Sequence, residues 1–204
     1  MKPKVDQPAN PLFTNGENFQ MNACVGANGG PYELFHYANG FFEAGHAAIE
    51  AARKCTAPVD TLIYPIAFSY RHAIELMLKQ MIVKLNLLLG SHEGFKKSHQ
   101  IDVLWDEVSR LTAEHGHDLI EPDAVERIGA IIGHFHSFDP TGQVFRYPFD
   151  RQDNRHLEGH SLINVEVLQV YMHDLQQTME RWYYEAVELR HWQLDEIAQY
   201  GVEG

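Results

Sequence analysis

The chain has little that would staple it, anchor it in a membrane or give it a general attraction for polyanions. Cys24 and Cys55 are its only cysteines, and they lack the close spacing of a thiolate metal site or a redox CxxC pair, so both are expected as free thiols. No apolar run has the length of a signal peptide or a membrane span, and the most apolar helix is interrupted by Arg71, His72, Glu75 and Lys79. The expectation is a cytoplasmic protein with no membrane partner. Basic residues are outnumbered, 16 Lys and Arg against 28 Asp and Glu, for a formal net charge of -12. That works against non-specific binding to nucleic acid, while leaving room for a local basic patch. No strand-like alternation of convincing length, internal repeat or low-complexity block is present.

What remains is the make-up of one helical domain. Apolar residues at 45% and charged residues at 22% of 204 positions are ordinary globular values, enough to close one core. Residues 1–30 are rich in Pro, Asn and Gly and read as an N-terminal arm or loop, with residues 31–204 as a single helical-bundle domain. The first helix places Leu34, Tyr37, Ala38, Phe41, Phe42, Gly45, Ala48, Ile49 and Ala52 at spacings of three and four, with Pro31 suited to its first turn. A second runs from about Val59 to Leu89, capped by Asp60 or Thr61 and stopped by Gly90, with Ile66, Tyr70, Ile74, Met77, Met81, Leu85 and Leu88 inward. Arg71, Glu75 and Lys79 recur every four residues on another face, the pattern of a salt-bridged solvent face.

A third helix follows Ser98 with Ile101, Leu104, Trp105, Val108 and Leu111 inward, and a fourth starts at Pro122 and ends before Asp139. The last runs from about Ser161 into the high 190s through Ile163, Val167, Val170, Tyr171, Leu175, Met179, Trp182, Tyr183, Ala186 and Leu189. The predicted architecture is all-α, an up-and-down bundle of about five helices.

Between the fourth and fifth helices lies FRYPFDRQDNRHLEGH, Phe145 to His160, which gathers three arginines and two histidines just before a helix. Arg presents a fork of donors that matches phosphate, and His titrates near neutrality, so this composition suits a phosphate site. Taken with the aromatic first helix, YRHAIELMLKQMI in the second and SHQIDVLWDEV in the third, the FRYP turn before the last helix resembles the HEPN superfamily, over roughly Tyr32 to Leu189. The resemblance implies a compact helical bundle, usually a homodimer. Many members are metal-independent endoribonucleases; others are non-catalytic or nucleotide-associated.

The ribonuclease members carry an Arg, usually followed by a polar residue, with a His four to six positions later. Arg155 with His160 fits at the place where the family carries the motif, with His156 following the Arg, and Arg151 with His156 fits the shorter spacing. Arg110 with His115 or His117, and Arg127 with His134, also satisfy the spacing, but on helices where the family would not place it. Position therefore favours the loop before the last helix.

On that reading His160 transfers the proton, Arg155 clamps the phosphate, and His156 and Arg151 assist, in a cleft at a dimer interface. RNA or a nucleotide is the implied ligand, with an antitoxin-like protein as a further partner and no cofactor. The alternative is a non-catalytic helical interaction or nucleotide-associated module without turnover. In that case the stretch is a turn docked by ion pairs, Arg146 to Glu75 or Asp150 and Arg151 to Asp153, with Tyr147 packed as a lid. The histidines of His134-Phe135-His136 near Asp139, and of His115-Gly116-His117, lack the i, i+4 spacing of a helical metal site, and no metal is expected.

Overall fold

In the computed structural model, residues 10–26, 28–30, 32–95, 97–115 and 120–200 are described, and the chain divides into two units, Met1–Tyr32 and Glu33–Gly204. The described part of the first unit holds one 3-10 turn, Phe19–Met21, with no buried residue, and the Asn22 side chain closes a loop by bonding both the N–H and the C=O of Gly16. The first nine residues of the expected arm lie outside the described residues, as do Pro31 and His117.

The second unit is an all-α bundle of α1 (Leu34–Arg53), α2 (Val59–Leu88), α3 (Ile101–His115), α4 (Pro122–Phe138) and α5 (Val165–Tyr200). Among the described residues there is no strand, only an isolated antiparallel bridge between Phe149 and Arg155. No helix among them is long and apolar enough to cross a membrane. Helix α1 begins at Leu34 because Glu33 caps it, its N–H donating to Nδ1 of His36 at 3.0 Å. The Glu33 carboxylate then accepts from Gln80 and Lys84 of α2 and from the Tyr183 hydroxyl of α5, which fixes three helices at one point.

Helix α2 is the axis of the bundle and packs against α1, α3 and α5. Its predicted apolar stripe from Ile66 to Leu88 is buried throughout. The crossing with α1 is close enough to require glycine: a Cβ on Gly45 would stand 2.6 Å from the Tyr70 ring. Pro58, not Asp60 or Thr61, occupies the N-cap of α2; the Thr61 hydroxyl donates to the Pro58 carbonyl from inside the first turn.

Arg71, Glu75 and Lys79 do not form a solvent face; they are 4%, 3% and 8% exposed, because the α2–α3 connection and the turn after α4 cover them. The last helix starts at Val165, not Ser161, because the Asn164 side chain accepts from the N–H groups of Glu166 and Val167 as an N-cap. Its buried stripe is Val165, Met172, Leu175, Met179, Trp182, Tyr183 and Ala186, whereas Val167, Val170 and Tyr171 are more than half exposed. The apolar residues of its first turns occupy two faces, and only one meets the core.

Candidate functional site

The loop joining α4 to α5 is held from below by charge. Asp139 ends α4, and its Oδ1 accepts from the backbone N–H groups of Gln143 and Val144 at 2.9 and 3.2 Å, which folds the chain back over α2. Arg71 reaches up from α2 into this turn. Its Nε donates to the Asp139 carbonyl at 3.2 Å, its Nη2 to the His99 carbonyl at 2.9 Å, and its Nη1 to Glu75 at 3.4 Å. Gly142 sits over the guanidinium with φ +72°, and a Cβ there would lie 2.9 Å from Arg71 Cζ.

Glu75 also accepts from Lys79 at 2.7 Å and from the His99 ring at 2.8 Å. Burial pushes the Glu75 carboxyl up, but the hydrogen bonds from Lys79 and His99 outweigh it and hold the group below its ordinary value. Two buried cations and two buried carboxylates thus offset one another beneath the loop.

Past the Asp139 turn, residues 148–156 form a small closed excursion. The Phe149–Arg155 bridge, the Asp150 N–H to Asn154 O bond at 2.9 Å and the His156 N–H to Pro148 O bond at 3.0 Å pin its two sides. Asp150 organises the tip. Its Oδ1 accepts from the N–H groups of Gln152 and Asn154 and its Oδ2 from the Asn154 side chain, and these bonds, the side-chain one foremost, hold its carboxyl below the usual carboxylate value.

The consequence falls on the arginines. Arg53, Arg71, Arg110, Arg127 and Arg181 each meet a carboxylate. Among the described residues, Arg146, Arg151 and Arg155 form no ion pair, nor does Arg190 of α5, which bonds Gln193, in a chain with an excess of acid. Among the described residues the expected pairs of Arg146 with Glu75 or Asp150 are absent, because Glu75 is taken by Arg71, Lys79 and His99, and Asp150 by its own turn; the expected pair of Arg151 with Asp153 is absent as well. Arg146 instead lies 5.4 Å from the ring centres of both Phe68 and Tyr147, and Arg155 lies 5.4 Å from that of Phe149. Tyr147 is 49% exposed and is no lid.

The candidate residues divide between two cavities. Arg151 and His156 line one of about 1000 Å³, together with Tyr147, Phe149, Asp150 and Gln152. Arg155 and His156 line a smaller one of about 270 Å³ with Tyr64, Arg146 and Tyr147. His156 is common to both, and its Nε2 is buried without a hydrogen-bond partner. His160 lines neither; its ring meets the Phe138 ring edge to face at 4.6 Å. Of the two overlapping spacings, the fold brings Arg151 and His156 to one cavity, while His160 stands outside both of these cavities.

The alternatives on the helices are otherwise engaged: Arg110 pairs with Glu107 and Glu114, Arg127 pairs with Asp174, and His134 lines an apolar cavity between α4 and α5. His136 faces Asp102 while Asp139 faces Arg71, so these side chains do not converge, and among the described residues no three His, Cys, Asp or Glu side chains are grouped to hold a metal. Sequence reasoning passed over Tyr64 and Phe149, which border the loop from α2 and from the excursion itself. No family model, curated protein or solved structure matches the chain.

Proposed function

We propose that the protein is a HEPN-like, metal-independent endoribonuclease whose loop 145–160 binds the RNA phosphodiester. The observation that carries this reading is the set of three arginines left without carboxylate partners around His156. An unpaired guanidinium in an acidic protein is a vacancy for an external anion, and phosphate accepts its forked donors. His156 is the proton-transfer residue, Arg151 the phosphate clamp, and Arg155 stabilises charge on the phosphoryl group from the neighbouring cavity. His160 enters only if the loop repacks away from Phe138.

A homodimer is part of the proposal. Leu162, just before α5, and Val167, Val170 and Tyr171, in its first turns, are 93%, 57%, 69% and 54% exposed, and such a patch suits a second copy. Two loops brought to one interface would double the cationic groups around a scissile phosphate.

One observation favours the non-catalytic alternative. The Nε2 of His156 is buried, so it reaches a substrate proton only after the loop opens. Incubating a mixed RNA pool in chelator with wild type, His156→Ala and His160→Ala separates the readings. Cleavage lost in His156→Ala and kept in His160→Ala supports the assignment above. Cleavage lost only in His160→Ala moves the chemistry to Arg155 and His160, and RNA bound but uncut by wild type leaves a binding module.

A further inference from the structure

A phosphate site selects no nucleic acid by itself, since every nucleotide carries one. The 270 Å³ cavity adds a second chemistry. Beside Arg146 and Arg155 its wall holds Tyr64, from α2, and Tyr147, from the loop, together with Pro148 and His156. Both tyrosines are about half exposed as residues, at 46% and 49%, as is Phe149, whose ring lies beneath Arg155, at 45%. Exposed aromatic faces next to cations without carboxylate partners are the two halves of a nucleotide site: rings that stack on a base and guanidinium groups that take its phosphate.

Arg146 is held in place for this work. Its guanidinium lies over the Phe68 and Tyr147 rings, 5.4 Å from each centre, so a cation is held against one face of Tyr147 without being neutralised and the base is left the other face. The cavity is slightly below the ~300–1,000 Å³ typical of small-ligand pockets. That volume suits one nucleotide, and a base still stacked and paired in a duplex cannot enter it.

We propose that this cavity takes one unpaired nucleotide of a single-stranded RNA, its base against Tyr64 and Tyr147 and its phosphate on Arg146 and Arg155. The inference rests on the phosphodiester-binding reading above and adds to it a substrate class and a base-stacking element. The neighbouring cavity with Arg151 and His156 then receives the next phosphate along the strand.

The test uses the full chain and a short RNA carrying one 2-aminopurine, whose fluorescence is quenched when it stacks. Wild type and Tyr147→Phe should bind with quenching, and Tyr147→Ala and Tyr64→Ala should bind about 5- to 150-fold more weakly, the range for loss of one stacked base. Adenosine monophosphate should displace the probe, and the same sequence as a duplex should not. Circular dichroism of each variant confirms that helix content is unchanged. Binding by both alanine variants within twofold of wild type overturns the proposal, and so does equal competition by the duplex. The two readings fail separately. Quenched binding without cleavage removes the ribonuclease and keeps the nucleotide cavity, whereas cleavage unchanged in both alanine variants keeps the ribonuclease and removes the cavity.

Discussion

Replacing Arg71 by methionine keeps most of the aliphatic volume of the side chain and deletes the fork beneath the loop. Three acceptors lose their donor together: the carbonyls of Asp139 and His99 and one oxygen of Glu75. The Arg71 side chain is 5% exposed and that of Asp139 is 2% exposed, so water does not replace the lost bonds without local opening. Removing one partner from a buried ion pair costs about 3–5 kcal/mol. Asp139 keeps its two backbone N–H donors and Glu75 keeps Lys79, which places the expectation at the lower end, ~3 kcal/mol. For a urea slope of roughly 2–3 kcal/mol/M, the denaturation midpoint should fall by about 1–1.5 M. Arg71→Lys should recover only part of this, because one ammonium cannot reach three acceptors in a plane. Urea titration followed by far-UV circular dichroism is the assay. A shift below about 0.3 M for Arg71→Met would refute the claim that this arginine anchors the loop.

Three other outcomes follow from the same geometry. His72 is held below its ordinary value of 6.5, by burial first, and Glu75 is held below its ordinary 4.5 despite burial. Both groups bind more protons when unfolded, so stability should fall as pH drops below 6.5 through the His72 window and again below 4.5 through the Glu75 window. His72→Phe should flatten the first slope and Glu75→Gln the second in thermal melts across pH. Gly142→Ala combines a left-handed backbone with a Cβ 2.9 Å from Arg71 Cζ and should cost more than about 1 kcal/mol by denaturant titration, against a few tenths for an exposed substitution. Asn164→Ala deletes the cap of α5 and should lower stability by about 0.5–2 kcal/mol in the same measurement.

Helices with one buried stripe were legible in the sequence to within a few residues, because three-and-four spacing is a direct consequence of one face meeting a core. Pro122 and Gly90 marked ends correctly by backbone chemistry alone. Arg71, Glu75 and Lys79 misled for a physical reason: i, i+4 alternation of charge looks the same whether a face is wet or covered, and what covers it is the α2–α3 connection together with a turn some 68 residues away. The first turns of α5 misled because Val167, Val170 and Tyr171 make an apolar face that stays more than half exposed.

At the loop, composition showed where cations gather but not which of them are spent. That depends on Asp150 turning its carboxylate onto Gln152 and Asn154, and on Glu75 being claimed by Arg71, Lys79 and His99, both of which are three-dimensional facts. The pairing of Arg151 with His156 at one cavity, and the placement of His160 against Phe138, are of the same kind.

The proposed role of Arg146, Arg151 and Arg155 is to meet the phosphates of an RNA strand. Its most direct test is the salt dependence of single-stranded RNA binding by fluorescence anisotropy. Each phosphate contact on a single strand contributes about -0.7 to the slope of log K against log salt, so three arginines contribute about -2. The triple variant R146Q/R151Q/R155Q should lose that part of the slope and most of the binding at low salt, while retaining its helix content. A wild-type slope near zero, or a slope that the triple variant leaves unchanged, would contradict the account.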